Sequence, residues 1–159
     1  MPNFQYAGNA IHFRAGKKSG GFFSMEKNEI IINAEETSLG RVATYAAKQA
    51  LLKKKVIVVN CEKALISGNK EAAVARYKAK IAIGKGKSNQ GPFFPKSPER
   101  IMKRTVRGML PWAITRGKEA LKNVICYDAV PSEFKDKEMI SFEKPLMKSI
   151  MLKELCRLL

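Results

Sequence analysis

Two short apolar runs without polar alternation, Glu29 to Ala34 (EIIINA) and Val56 to Asn60 (VIVVN), bracket a stretch whose apolar positions recur at helical spacing. In that stretch Leu39, Val42, Ala43, Ala46 and Ala50 return every three or four residues. Arg41, Lys48 and Lys53 fall largely elsewhere on the wheel, and Thr37 or Ser38 can cap the first turn. A strand that is apolar at successive positions is covered on both faces, because its side chains alternate between them. Strand, helix and strand in this order predict a right-handed crossover within a parallel sheet, so the fold class is α/β.

Ala64 to Ser67 reads as a brief third extended piece, and Gly68-Asn69 as a turn opening a second helix that runs to about Ile83. Ala73, Tyr77 and Ile81 form a packing line on that helix, with Arg76 and Lys80 on a second line beside it. Residues 84 to 98 hold three Gly, three Pro and three Lys, which predicts a basic loop. In the next helix Arg100, Lys103, Arg104 and Arg107 share one face, and Ile101, Met102, Thr105, Val106 and Met109 supply the packing face. Pro98 suits its first turn, and Gly108 with Pro111 closes it. Thr115 to Asn123 predicts a short helix, Val124 to Asp128 a last strand, and Ser149 to Leu159 a terminal amphipathic helix built on Leu152, Leu155 and Leu159. With no internal repeat and no long linker, residues 25 to 159 read as one domain containing a basic loop–helix region over 76 to 122.

Charge sharpens this picture. Between Arg76 and Lys122 stand thirteen Lys and Arg against two acidic residues, Glu99 and Glu119, so this stretch holds most of the chain's net +16. Like charges on one helical face repel by a few tenths of a kcal/mol per adjacent pair, and a polyanionic partner would offset that repulsion. Nucleic acid is the leading partner and an anionic membrane surface the weaker one. With 159 residues, 45% of them hydrophobic, the chain can bury a core and is no disordered polycation. No apolar run approaches bilayer length and no signal-peptide core precedes a cleavage site, which predicts a cytosolic protein. Cys61, Cys126 and Cys156 are widely separated, and His12 is the one histidine, so reduced, buried thiols are expected and neither a disulfide framework nor a metal.

The predicted RNA-binding residues are Arg76, Lys80, Lys85, Lys87, Lys96, Arg100, Lys103, Arg104, Arg107, Arg116 and Lys118. Arginine forks can bridge phosphate oxygens, while lysines act as point charges. Gly84, Gly86, Gly91, Gly108 and Gly117 are candidates for close backbone approach to RNA, with turn chemistry the competing role for the loop glycines. Phe93 and Phe94 are expected to anchor in the core, and Trp112 suits either packing or base stacking. Enzyme readings lack equipment. Gly86-Lys87-Ser88 imitates the end of a phosphate loop, but Ile81 stands where that loop needs its first Gly. The turn after the first strand (Glu35-Glu36-Thr37-Ser38) would repel pyrophosphate, and neither His12 nor Cys61 has a partner for catalysis. No cofactor and no small-molecule substrate are expected.

Several motifs together resemble a known family: Ile66-Ser67-Gly68-Asn69, Gly91-Pro92 ahead of Ser97-Pro98, and above all Arg104-Thr105-Val106-Arg107-Gly108-Met109-Leu110-Pro111 with Arg116-Gly117 downstream. These are similar to the large-subunit ribosomal protein L13 family in its archaeal form, and Leu39-Gly40-Arg41, VIVVN, Ala120-Leu121-Lys122 and Val130-Pro131 fall in matching order over about residues 28 to 159. The resemblance implies a three-layer α/β/α domain with a mostly parallel central sheet that binds large-subunit rRNA early in assembly beside neighbouring ribosomal proteins. It implies a structural role without enzymatic activity, with Arg104, Arg107, Arg116 and the Gly91-Pro92 loop facing RNA. The family pattern has basic residues after Pro111, where this chain reads Trp112-Ala113-Ile114, and a longer loop before Gly91. Two alternatives stay open: a free mRNA-binding translational regulator, as the resemblance to eukaryotic relatives implies, and an α/β enzyme acting on RNA. Residues 1 to 24, basic and without counterpart in the family pattern, are expected to reflect a misplaced start, with translation opening at Met25. The competing reading is a basic arm in which Arg14, Lys17 and Lys18 meet phosphate and Tyr6 or Phe13 stacks.

Overall fold

The computed structural model describes residues 29–83, 93–142 and 148–159. In chain order they form β1 (Glu29–Asn33), α1 (Leu39–Leu51), β2 (Lys55–Val59), β3 (Leu65–Ser67), α2 (Lys70–Ala82), α3 (Pro98–Met109), α4 (Thr115–Lys122), β4 (Val124–Cys126), β5 (Ser149–Met151) and α5 (Leu152–Leu158). Single 3-10 turns stand at Cys61–Lys63 and Ser132–Phe134.

The strands β1, β2 and β4 form a parallel sheet in the order β1-β2-β4, with Ile31 opposite Ile57 and Val58 opposite Cys126. Beyond β1 the chain returns at Ile140, whose N–H donates to the Ile31 carbonyl (2.9 Å) while the Ile140 carbonyl accepts from Asn33 (2.9 Å). The apolar runs are buried on both faces as their pattern requires. Ile32, Val56 and Val58 pack with Val42, Ala43 and Ala46 of α1 and Met102 and Val106 of α3. Ile31, Ile57 and Val59 face the other way onto Phe134, backed by Tyr127, Val130 and Met139. From Val56 to Val59 no residue exceeds 1% exposure. Each such side chain stabilises the fold by about 1.5–3 kcal/mol relative to leaving it in water. The sheet is thus the middle of three layers, helices on one side and the segment around the Ser132–Phe134 turn on the other.

Three expectations are corrected. The terminal helix does not begin at Ser149, because Ser149–Met151 forms β5, antiparallel to β3 in a second, two-stranded sheet, and the helix starts at Leu152. The alternation decides it locally: Ile150 is 2% exposed between exposed Ser149 and Met151, and the Leu152 N–H donates to the Ala64 carbonyl (2.8 Å). Met109 does not pack; it lies in the last turn of α3 at 41% exposure, where its sulfur accepts a contact from the Thr44 hydroxyl (3.3 Å). Periodicity set its direction, but among the described residues α1 reaches Met109 only at its edge, through Thr44. Finally, neither Thr37 nor Ser38 caps α1 with its side chain. Ser38 is the cap residue through its carbonyl, which accepts from Arg41 and Val42, while the buried Thr37 hydroxyl lies 2.9 Å from the Phe142 carbonyl and 3.0 Å from that of Glu35. Cys61 and Cys126 are free and buried as expected, and Cys156 is free and half-buried.

Candidate nucleic-acid interface

Helix α3 is the centre of the basic region. Pro98 occupies its first turn, where the missing N–H costs little, and the Glu99 N–H donates to Oδ1 of Asp128 (2.9 Å), two residues past β4, so the helix is capped by the segment that leaves the sheet. Burial pushes the Asp128 carboxyl above its ordinary range, and the Glu99 N–H works against that shift. Ile101, Met102 and Val106 bury one face of α3 completely or nearly so. Arg100 and Arg107 are left exposed and Lys103 and Arg104 half-buried at the margins.

Those margins open into two grooves. On one side, α3 and α4 enclose about 490 Å³ lined by Lys103, Trp112, Lys118 and Lys122 among others. On the other, Lys80 and Tyr77 of α2 meet Arg104, Phe94 and Pro95 around a groove of about 440 Å³ that reaches Ser38 and Gly40 at the start of α1. Arg104 is fixed there, its guanidinium donating to the Phe93 carbonyl (3.1 Å) and lying 4.0 Å from the Phe94 ring centre. Arg107 lies 4.2 Å from the centre of the Trp112 ring, and Lys80 5.2 Å from that of Tyr77. Cation–π contacts of this kind contribute about 0.5–1 kcal/mol at exposed sites, and they hold the charged heads in place.

The density of cations and the scarcity of carboxylates near them distinguish this region. Lys55 meets Glu29 (2.7 Å), Lys63 meets Glu35 (2.5 Å), Lys153 meets Glu62 (2.5 Å), and Lys70 meets Glu154. The hydrogen bond from Lys55 holds the Glu29 carboxyl below its ordinary range. Such exposed pairs add little stability. They do neutralise, and within 76 to 122 the one ion pair among the described residues is a long contact between Arg100 and Glu99 (3.8 Å). Arg76, Lys103, Arg107, Arg116 and Lys118 have no carboxylate partner among the described residues, and Lys96 donates to the Leu159 main-chain oxygen (2.9 Å).

The structure thus brings Lys80 beside Arg104 and Lys103 beside Lys118, with Arg100 and Arg107 on the ridge between, and exposes Arg76 and Arg116 on the flanking helices. Gly108 is exposed, with open space where a side chain would sit. Gly117 is buried, and a Cβ there would lie 2.1 Å from the Pro111 carbonyl oxygen, so its bare backbone serves the packing of α4 on the preceding turn. Lys85, Lys87, Gly84, Gly86 and Gly91 lie outside the described residues, as do His12 and residues 1 to 24. Phe93 is no core anchor at 73% exposure, whereas Phe94 is half-buried against Arg104. Lys122, outside the predicted set, also lines the α3–α4 groove; its spacing of four from Lys118 on one helix was the available signal.

Other chemistry is poorly supplied. The Cys61 thiol is pushed up by its hydrogen bond with Cys126 and by burial, and burial pushes Cys156 up to about 11, so both are protonated and poorly nucleophilic at neutral pH. Among the described residues no three His, Cys, Asp or Glu side chains are placed to hold a metal ion, and no helix is long and apolar enough to cross a membrane.

Comparison with known proteins agrees with the motifs. The family model for ribosomal protein L13 matches residues 27–133. The large ribosomal subunit protein uL13 of Archaeoglobus fulgidus is 41% identical over 120 residues, covering 76% of this chain and 76% of its own length. That of Sulfurisphaera tokodaii is 42% identical over 121 residues, covering 75% of this chain and 82% of its own. The uL13 of Methanosarcina barkeri is 42% identical over 112 residues, covering 70% and 79%. With this extent of match, and with the TVRGMLP segment running from the last turns of α3 into the turn before α4, the chain belongs to the ribosomal protein L13 family.

Proposed function

We propose that this chain is a structural constituent of the large ribosomal subunit, that it binds large-subunit rRNA through the face formed by α2, α3 and α4, and that it supports early subunit assembly without enzymatic turnover. The observation that carries this reading is the contrast in charge pairing. Carboxylates meet Lys55, Lys63, Lys70 and Lys153 outside the region, whereas the denser cations on the ridge of α3 and on α4 have only the long Arg100–Glu99 contact among the described residues and stand open to an anionic partner. Arg100, Arg107 and Arg116 offer planar forks to phosphate oxygens, and Lys103, Lys118 and Lys122 add point charges beside them. Neighbouring ribosomal proteins complete the surroundings, in the cytoplasm, and the function needs no cofactor, metal, membrane or small-molecule substrate.

The test is incorporation. A tagged copy expressed in archaeal cells should sediment with large subunits at one copy each, and the triple variant Arg100→Glu, Arg107→Glu, Lys118→Glu should remain in the ribosome-free fraction while melting cooperatively. Parent protein found mainly free of the large subunit, or saturable turnover of RNA by the purified chain, would overturn the reading.

A further inference from the structure

The groove between α3 and α4 has a composition that general phosphate binding leaves unexplained. Its lining combines Lys103, Lys118 and Lys122 with Trp112, Leu121 and Glu119. Backbone contacts against one's own cations would need only the lysines. An aromatic ring and a leucine between three ammonium groups instead match an amphipathic anion, one flat apolar portion beside one or two phosphates. At about 490 Å³ the groove lies within the range of about 300–1,000 Å³ typical of small-ligand sites.

The groove is also held in shape. The Leu110 carbonyl accepts from the Trp112 N–H (2.8 Å), the Pro111 carbonyl from the Ile114 N–H (3.1 Å), and the Ile114 carbonyl from the Gly117 N–H (3.1 Å). Gly117 allows the start of α4 to sit against Pro111, which sets Lys118 and Lys122 across from Lys103. Arg107, which does not line the groove, stacks on the indole at 4.2 Å. Trp112 is 38% exposed, so part of the ring remains available. Glu119 has no ion-pair partner among the described residues and can accept hydrogen bonds from an amino group.

We propose that this groove takes one unpaired nucleotide of the bound rRNA, its base stacked on Trp112 against Leu121, its phosphates on Lys103, Lys118 and Lys122, and a base amino group on Glu119. The inference rests on the RNA-binding reading above. A base within a duplex cannot reach such a site without leaving its stack, so the ligand is a bulged or looped-out residue. The carboxylate favours adenine, cytosine or guanine over uracil, because they offer an amino group whereas the single N3–H of uracil is flanked by two carbonyl oxygens that repel a carboxylate.

Trp112 is the one tryptophan of the chain, so its emission reports on this groove alone. The experiment titrates the full chain with an RNA hairpin carrying a single bulged adenosine and with the same hairpin fully paired. The bulged RNA should quench the emission saturably and bind about tenfold more tightly, the scale expected for one base stacked on an aromatic ring. Trp112→Leu should abolish the preference while weakening affinity for the paired hairpin by no more than about threefold, the scale of the lost Arg107 contact, with cooperative melting retained, and replacing the bulged adenosine by uridine should weaken it in the parent protein but not in Glu119→Gln. Equal affinity for the two hairpins with unaltered emission would overturn the groove assignment and leave RNA binding standing. Binding to neither would overturn RNA binding itself.

Discussion

At the residue scale, Arg104 and Arg107 divide two roles that their shared sequence motif does not distinguish. Arg104 ties the Phe93 carbonyl and the Phe94 ring to α3, whereas Arg107 is exposed with its guanidinium over the Trp112 ring. Arg104→Glu should therefore lower stability by about 1–3 kcal/mol through the lost charged hydrogen bond and ring contact as well as weaken RNA binding. Arg107→Glu, which loses only an exposed ring contact, should weaken binding with stability changed by no more than about 1 kcal/mol. Denaturant unfolding beside RNA titration checks this, and equal destabilisation by both would contradict the division. Gly117→Ala should destabilise by about 1–3 kcal/mol, since the new methyl lands on the Pro111 carbonyl; unchanged melting would show that the turn gives way freely. Asp128 supplies a pH test. Its folded carboxyl is raised by burial, so its contribution favours the fold below the ordinary value of 3.8 and is lost as pH rises through the folded value. Asp128→Asn keeps an acceptor for the Glu99 N–H without that loss. Its melting temperature relative to the parent should rise from below pH 3.8 toward neutrality, and parallel curves would refute the assignment.

At the scale of elements, β2 joins the two cores, and its neighbours Ile57 and Val58 point to opposite faces. Ile57→Asp and Val58→Asp should each prevent folding, because an unpaired buried carboxylate costs several kcal/mol, comparable to the stability of a small domain. A soluble, cooperatively melting form of either would contradict the two-sided burial. This strand was readable in the sequence because burial on both faces leaves an unbroken apolar run, and α1 and α3 because one covered face imposes a helical period. β5 was not readable. In three residues, Ser149-Ile150-Met151, one apolar position fits a strand or the first turn of a helix, and pairing with β3, more than eighty residues earlier, decides between them. The cover of the second sheet face was equally hidden, since the Tyr127, Val130, Phe134 and Met139 side chains that supply it follow no single period. The exposure of Phe93 and Met109 reflects the same limit: hydrophobicity says which residues can pack, and tertiary placement says which do.

For the whole molecule, the location of the excess charge was legible from the chain, but its state was not. Counting cations marks residues 76 to 122, while only the fold reveals that carboxylates elsewhere come to Lys55, Lys63, Lys70 and Lys153 and leave Arg107, Arg116 and Lys118 open. The fold also supplies the two grooves flanking α3, one between the successive helices α3 and α4 and the other joining α1, α2 and α3. The central claim is that this open charge meets RNA phosphate. The direct measurement is the affinity of the full chain for a large-subunit rRNA fragment as a function of salt. With about six phosphate contacts, log affinity should fall against log salt with a slope of about −4 to −5. A slope near zero would contradict the account.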